Sequence, residues 1–235
     1  MRIAAGGALL VGVLIVVVAV MAGGDSGPTP VGSNGESTKT VKDILNDSAL
    51  AFSRAQSFHL TGTAASGTEK DAFDLHIGVG GARGTLTANG ATAEMISIGD
   101  DAWFRGREFF STFSGPDAGA AIGDSWVHLK TDDPKYAQYF RLLTLAGLQQ
   151  AISQIAMEAS VFKAHATSVD GALVMPLRAA DGEIDVALDG SPYPRRLLFN
   201  GQDGKGELRF LEFDAPMPAP TTPGDVFGVP KPPTL

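Results

Sequence analysis

The spacing of apolar residues changes character several times along the chain, and each change marks an element. From Ile3 to Ala22 the run IAAGGALLVGVLIVVVAVMA carries no charged or strongly polar side chain. As a helix rising 1.5 Å per residue it spans about 30 Å, the hydrocarbon thickness of a bilayer. Arg2 and the terminal amine precede it and Asp25 follows, so the positive-inside rule puts the N-terminus in the cytoplasm and the rest of the chain outside. The competing reading is a secretory signal peptide, with Val20-Met21-Ala22 as the small residues before cleavage, although the apolar core of such peptides is only about 7 to 15 residues. Residues 1–22 are thus an anchor or a signal, and 23–40, GGDSGPTPVGSNGESTKT, read as a flexible Gly/Ser/Pro tether.

Past the tether the period is helical. Val41, Ile44, Leu45, Ala49, Leu50, Phe52 and Ala55 recur at three- and four-residue intervals, with Thr38 or Thr40 available as cap. Then the period becomes two: Phe58, Leu60 and Gly62 alternate with His59, Thr61 and Thr63, and Phe73, Leu75, Ile77 and Val79 alternate with Asp74, His76 and Gly78. Asn89-Gly90 and Gly99-Asp100-Asp101 punctuate the following β-rich runs as hairpin turns do, and SWVHLK makes one more strand after a small-residue loop, SGPDAGAAIGD, that offers nothing to pack.

Lys135 to Glu158 breaks the pattern. Tyr136, Tyr139, Phe140, Leu142, Leu143, Leu145, Leu148, Ile152 and Ile155 cover more than one face of a helix, which predicts packing against a concave sheet or facing a cavity. Asp170-Gly171, Asp181-Gly182, Asp189-Gly190 and Asn200-Gly201 then separate further antiparallel strands. The pattern predicts about eleven strands and two helices with no alternation of the two, so parallel α/β folds are excluded. The domain is expected over residues 41–220, with a Pro-rich tail over 221–235.

Composition narrows the function. A net charge of −8 disfavours nucleic acid and anionic lipid headgroups as partners, and the absence of cysteine excludes disulfides, thiolate metal sites and cysteine nucleophiles. His59, His76 and His128 sit between apolar neighbours on strands and point to the polar face, where they read as surface histidines, as does His165. No H-E-x-x-H, Asp-rich calcium loop or G-x-S-x-G elbow occurs. GVGGARG lacks the spacing of a phosphate loop and leads into a strand, so it reads as a loose hairpin or bulge. The aromatic stretch WFRGREFF reads as core or cavity lining. The chain is expected to be no enzyme and to need no cofactor or metal.

The order of these features, with a helix running into SFHLTG, a strand pair ending GGARGTLT, then AEMISIGDDAWFRG, IGDSWVHLK, FRLLTLAGLQQAI and SPYPRRLLFNGQDGKGELRFLEFDAPMPAP, resembles the LppX, LprA and LprG group of actinobacterial envelope lipoproteins. The resemblance implies an α+β fold in which a strongly curved antiparallel half-barrel, LolA-like, wraps around helices and encloses an apolar cavity for acyl chains of lipid or glycolipid. The family's lipidated cysteine is missing, Gly23-Gly24 standing in its place, so attachment would fall to the N-terminal helix, or the chain would be cut and secreted. On this reading the cavity is lined by Phe58, Leu60, Leu75, Ile77, Ile96, Ile98 and Trp103 from the sheet and Leu142, Leu145, Leu148 and Ile152 from the helix. The protein would be a monomer that carries or presents its ligand. The alternative is a half-barrel with a filled core that binds an envelope protein partner, as RseB-type stress regulators do.

Overall fold

In a computed structural model, residues 32–131, 144–149, 161–201 and 204–228 are described. The apolar run Ile3–Ala22 lies outside them, and among the described residues no helix is long and apolar enough to cross a membrane. The chain opens with helix α1 (Val41–Arg54), started by Thr40, whose hydroxyl accepts from the Asp43 amide at 3.2 Å. Five strands follow as a meander: β1 (Ser57–Ser66), β2 (Glu69–Gly78), β3 (Gly81–Ala88), β4 (Ala91–Ile98) and β5 (Asp101–Arg105). Helices α2 (Arg107–Ser114) and α3 (Pro116–Ile122) lead to β6 (Val127–Lys130). The remaining strands are β7 (Phe162–Lys163), β8 (Thr167–Val169), β9 (Ala172–Ala179), β10 (Gly182–Ala187), β11 (Pro194–Gly201) and β12 (Gly204–Leu211).

All twelve strands join one antiparallel sheet in the order β6-β5-β4-β3-β2-β1-β12-β11-β10-β9-β7, with β8 also on β9. Among the described strands, β6 and β7 do not pair, so the sheet is open. It is an α+β half-barrel, as expected, with twelve strands among the described residues where about eleven were anticipated. The long-range closure is β1 on β12, Leu60 opposite Phe210, which joins the first half of the chain to the last.

Helix α3 falls in the expected small-residue loop, and α2 precedes it from the end of the aromatic stretch. Phe109, Phe110 and Phe113 recur at helical spacing, and Phe109 lies parallel to Phe104 with ring centroids 6.4 Å apart. Pro116 starts α3, and buried Gly119 sits where any Cβ would collide with the Ser111 side chain, so the small residues let the two helices touch. Of the expected apolar helix over Lys135 to Glu158, only 144–149 are described; residues 145–149 are helical, and the Gln149 amide donates to the carbonyls of Phe52 and Ser53 at 3.0 and 3.2 Å, which ties this turn to the end of α1.

Side-chain alternation divides the sheet cleanly. The inner face carries Phe58 and Leu60, Leu75 and Ile77, Met95, Phe104, Leu177, Ile184, Leu197 and Phe210, and against them α1 presses Ile44, Leu45 and Phe52. Each of these three buried side chains of α1 contributes about 2 kcal/mol of apolar burial. An aromatic knot forms where α1 meets the β1/β12 seam, with Phe52 at 5.1, 5.4 and 5.9 Å from the rings of Phe58, Phe210 and Phe213.

The polar segments at both ends are docked as far as they are described. Asn34 donates its amide to the Leu188 carbonyl at 3.1 Å, Ser33 donates to Asp189 at 2.9 Å, and Lys163 donates to the carbonyls of Ser37 and Lys39. The tether therefore lies against the domain from about Gly32 onward. At the other end, Trp126 and Val226 form a parallel bridge beside the β6 edge, with the Trp126 amide donating to Asp225 at 2.8 Å.

Curvature needs glycine where strands crowd. At Gly62 and Gly84, with φ of 156° and 151°, an added Cβ would fall on the carbonyl oxygens of Glu207 and Asp74 in the neighbouring strands. Replacing Gly84 by Ala should accordingly cost about 2 to 3 kcal/mol, read as a lower urea midpoint at unchanged slope; an unaltered midpoint would show that the sheet bends without it.

Candidate functional site

The hairpins β1–β2 and β11–β12 meet at the far end of β1 from α1, and there the sheet holds an open cavity of about 780 Å³. Its wall is mostly apolar, with Ala64, Ala65 and Ala72 from the first hairpin and Leu198 and Phe199 from β11, while Lys70, Asp71, Asn200, Lys205 and Glu207 bring polar groups to it. Glycines keep it open. Gly206 faces Phe199 and Gly182 faces the Leu198 carbonyl so closely that a side chain at either would strike the wall.

Asp71 stands out electrostatically. It lies on β2 opposite Ala64 and Ala88, and burial, with repulsion from Glu69 added, pushes its carboxyl up to about 6. A second raised carboxyl, Asp185, is fully buried on the outer face; burial and then Glu183 push it up, while Arg196 donates to it at 2.6 Å and holds it in place. Asp185 reads as a structural group, since its partners Arg196 and Glu183 belong to the same ladder of strands.

Of the eleven residues expected to line a cavity, none of the nine described ones lines this one. Phe58, Leu60, Leu75 and Ile77 are on the inner face as expected, but the aromatic knot and α1 fill the space above them, so they are packed core. Leu145 and Leu148 join the same core, at 9% and 5% exposure. Leu142 and Ile152 lie outside the described residues. Ile96, Ile98 and Trp103 need correction: Met95 and Ser97 take the inner positions of β4, so Ile96 pairs with Arg83 and Trp103 on the outer face, where Trp103 stacks on His128 with ring centroids 5.2 Å apart. A shift of one residue reverses a strand's faces, and in AEMISIGD both Met95-Ser97 and Ile96-Ile98 fit a period of two. The cavity was missed because its wall joins residues from the two ends of the sequence, which only the β1/β12 pairing brings together.

The described strands and helices form an open half-barrel with helices packed on its inner face and a pocket at one end. The same fold occurs in LprF from Mycobacterium bovis, with a TM-score of 0.56 at 12% identity over 82% of this chain and 99% of that one. It occurs again in the Mycobacterium tuberculosis lipoprotein LppX, with a TM-score of 0.52 at 13% identity over 77% of this chain and 100% of that one. At such identities the likeness shows the fold, and it is the fold that the resemblance in sequence implied. MucB of Pseudomonas aeruginosa, in its complex with MucA, aligns with a TM-score of only 0.38, at 18% identity over 76% of this chain and 58% of that one, and carries no argument. No family model and no curated protein matches the chain.

The raised Asp71 gives a signed expectation. The folded state binds its proton more tightly than the unfolded chain, so stability falls as pH rises from the ordinary carboxyl value of 3.8 through about 6. Partial solvent access screens the cost to about 1 kcal/mol. Asp71→Asn should therefore raise stability by about that amount at neutral pH, with the gain vanishing in acid; a gain that stays constant across the titration would show that the carboxyl's charge is not what costs.

Proposed function

We propose that this protein is an extracytoplasmic binding protein of the cell envelope that carries or presents a lipid or glycolipid, its acyl portion held in the cavity between the two hairpins. The observation that supports this is the wall itself: alanines, Leu198 and Phe199 around about 780 Å³, a volume within the range of small-molecule sites, with polar groups at a few points only. Burying acyl surface there yields about 25 cal/mol per Å², so a chain of modest length binds without a specific polar contact. Lys70 and Lys205 would then meet the headgroup. The reading assigns no catalytic residue and no cofactor, treats the protein as a monomer, and retains Ile3–Ala22 as the membrane anchor. The site moves from the core positions expected in the sequence to the pocket at the far end of β1.

Native mass spectrometry of the full-length protein from its own host should reveal copurifying lipid, and the delipidated protein should bind a fluorescent long-chain fatty acid. Ala64→Trp and Ala72→Trp, which add a ring at the wall, should each weaken that binding at least tenfold, while Val79→Trp, on an exposed turn, should not. Absence of both lipid and fatty-acid binding, or binding indifferent to the wall variants, would overturn the proposal. Intact mass of the membrane-extracted chain checks the anchor, since a chain beginning at Gly23 or Gly24 would show that the segment is removed.

A further inference from the structure

On the outer face, away from the cavity, cross-strand register sets His59 of β1 directly opposite His76 of β2. Their rings lie nearly parallel, 10° apart, with centroids separated by 4.1 Å. Glu212, the residue after β12, reaches the same place: its Oε2 lies 4.0 Å from His59 Nδ1. One ligand atom from each of the three falls within 4.8 Å of the others. We propose that His59, His76 and Glu212 bind a divalent transition metal ion of the zinc class, independently of whatever the cavity holds.

The donor set argues for this class. Two imidazoles and one carboxylate suit zinc and its neighbours, whereas calcium and magnesium prefer oxygen alone. Bonds of about 2.0 to 2.1 Å in a tetrahedron put ligand atoms roughly 3.3 Å apart, so the group must draw together by an ångström or so. Glu212 has the freedom to do this, since its side chain is 60% exposed.

What surrounds the three residues supports the same assignment. Asp74 Oδ1 lies 2.7 Å from His59 Nε2, which fixes that ring and leaves Nδ1 facing Glu212. This is the carboxylate-to-histidine arrangement that orients metal ligands and raises their basicity. Glu212 is also held at its backbone. It adopts a left-handed conformation, φ 51°, and the next residue but one, Asp214, does so too, φ 58°. Between them Phe213 turns inward to stack on Tyr193 at 4.0 Å, while Asp214 accepts from the Gln56 amide at 2.7 Å and the Tyr193 hydroxyl at 2.5 Å. Burial of Phe213 thus places Glu212 over the histidine pair. The fourth position faces solvent, where water would complete the tetrahedron.

Titration of the tag-free, full-length protein with Zn²⁺ against a chromophoric chelator should show one equivalent bound, and Co²⁺ should give the intense visible absorption of a tetrahedral site. Glu212→Gln, exposed and harmless to packing, and His76→Ala should each weaken Zn²⁺ binding tenfold or more. Asp74→Asn should weaken it about tenfold by releasing His59. His128→Ala, on the same face but paired with Asp101, is the control and should bind as the wild type does. Failure of the wild type to bind one equivalent, or binding that survives Glu212→Gln and His76→Ala unchanged, would overturn the proposal.

Discussion

The pairing of β1 with β12 is the contact on which the rest depends. It joins residues 59–65 to residues 205–211, so its cost in chain entropy is large, and until it forms the two meanders are separate sheets with unpaired edges. What offsets that cost lies beside the seam. Phe58 and Phe210 flank it on the inner face, Phe52 of α1 lies against both, and Phe213 closes the group from the turn beyond β12. One aromatic cluster therefore holds the helix, the seam and the C-terminal turn in a single register.

Both proposed sites are consequences of this seam. At its far end, β1 and β12 bring Ala64 and Gly206 together, and the small residues leave a pocket that α1, placed at the other end, does not reach. On the outer face, the same ladder carries His59 beside Leu211, and the turn that sends Phe213 inward sends Glu212 outward over His59. The two sites share no residue, so that neither needs the other.

The segments bounding the domain act as straps. Residues 33–39 run from the Leu188 strand end to the Lys163 side chain before α1 begins, and the chain after β12 passes Ser57, Gly78 and Gly81 on its way to the edge at Trp126. Hydrogen bonds to the backbone hold much of this, and in the tether a Gly/Ser/Pro composition read as flexible gives no sign of them. A Gly/Ser/Pro sequence can be ordered where carbonyls of strand ends stand waiting for donors.

Much of the architecture was legible in the residues because it is local. The helical period of Val41 to Ala55, the alternation of β1 and β2, and the left-handed Asn89-Gly90 and Asp170-Gly171 turns are set by side-chain spacing and by φ preferences within a few residues. Helix α3 was hidden because glycine, alanine and proline signal loops in isolation, and only the contact of Gly119 with Ser111 of α2 turns them to advantage. The inner face of β4 was assigned to Ile96 and Ile98 where the sheet puts Met95 and Ser97, since both stripes fit a period of two until Arg83 and Trp103 are known to be the neighbours of Ile96. His59 and His76 were correctly placed on the polar face one by one. Their meeting with each other and with Glu212 depends on strand register and on a turn more than a hundred residues away, and register is a property of the paired sheet, not of either strand's own pattern.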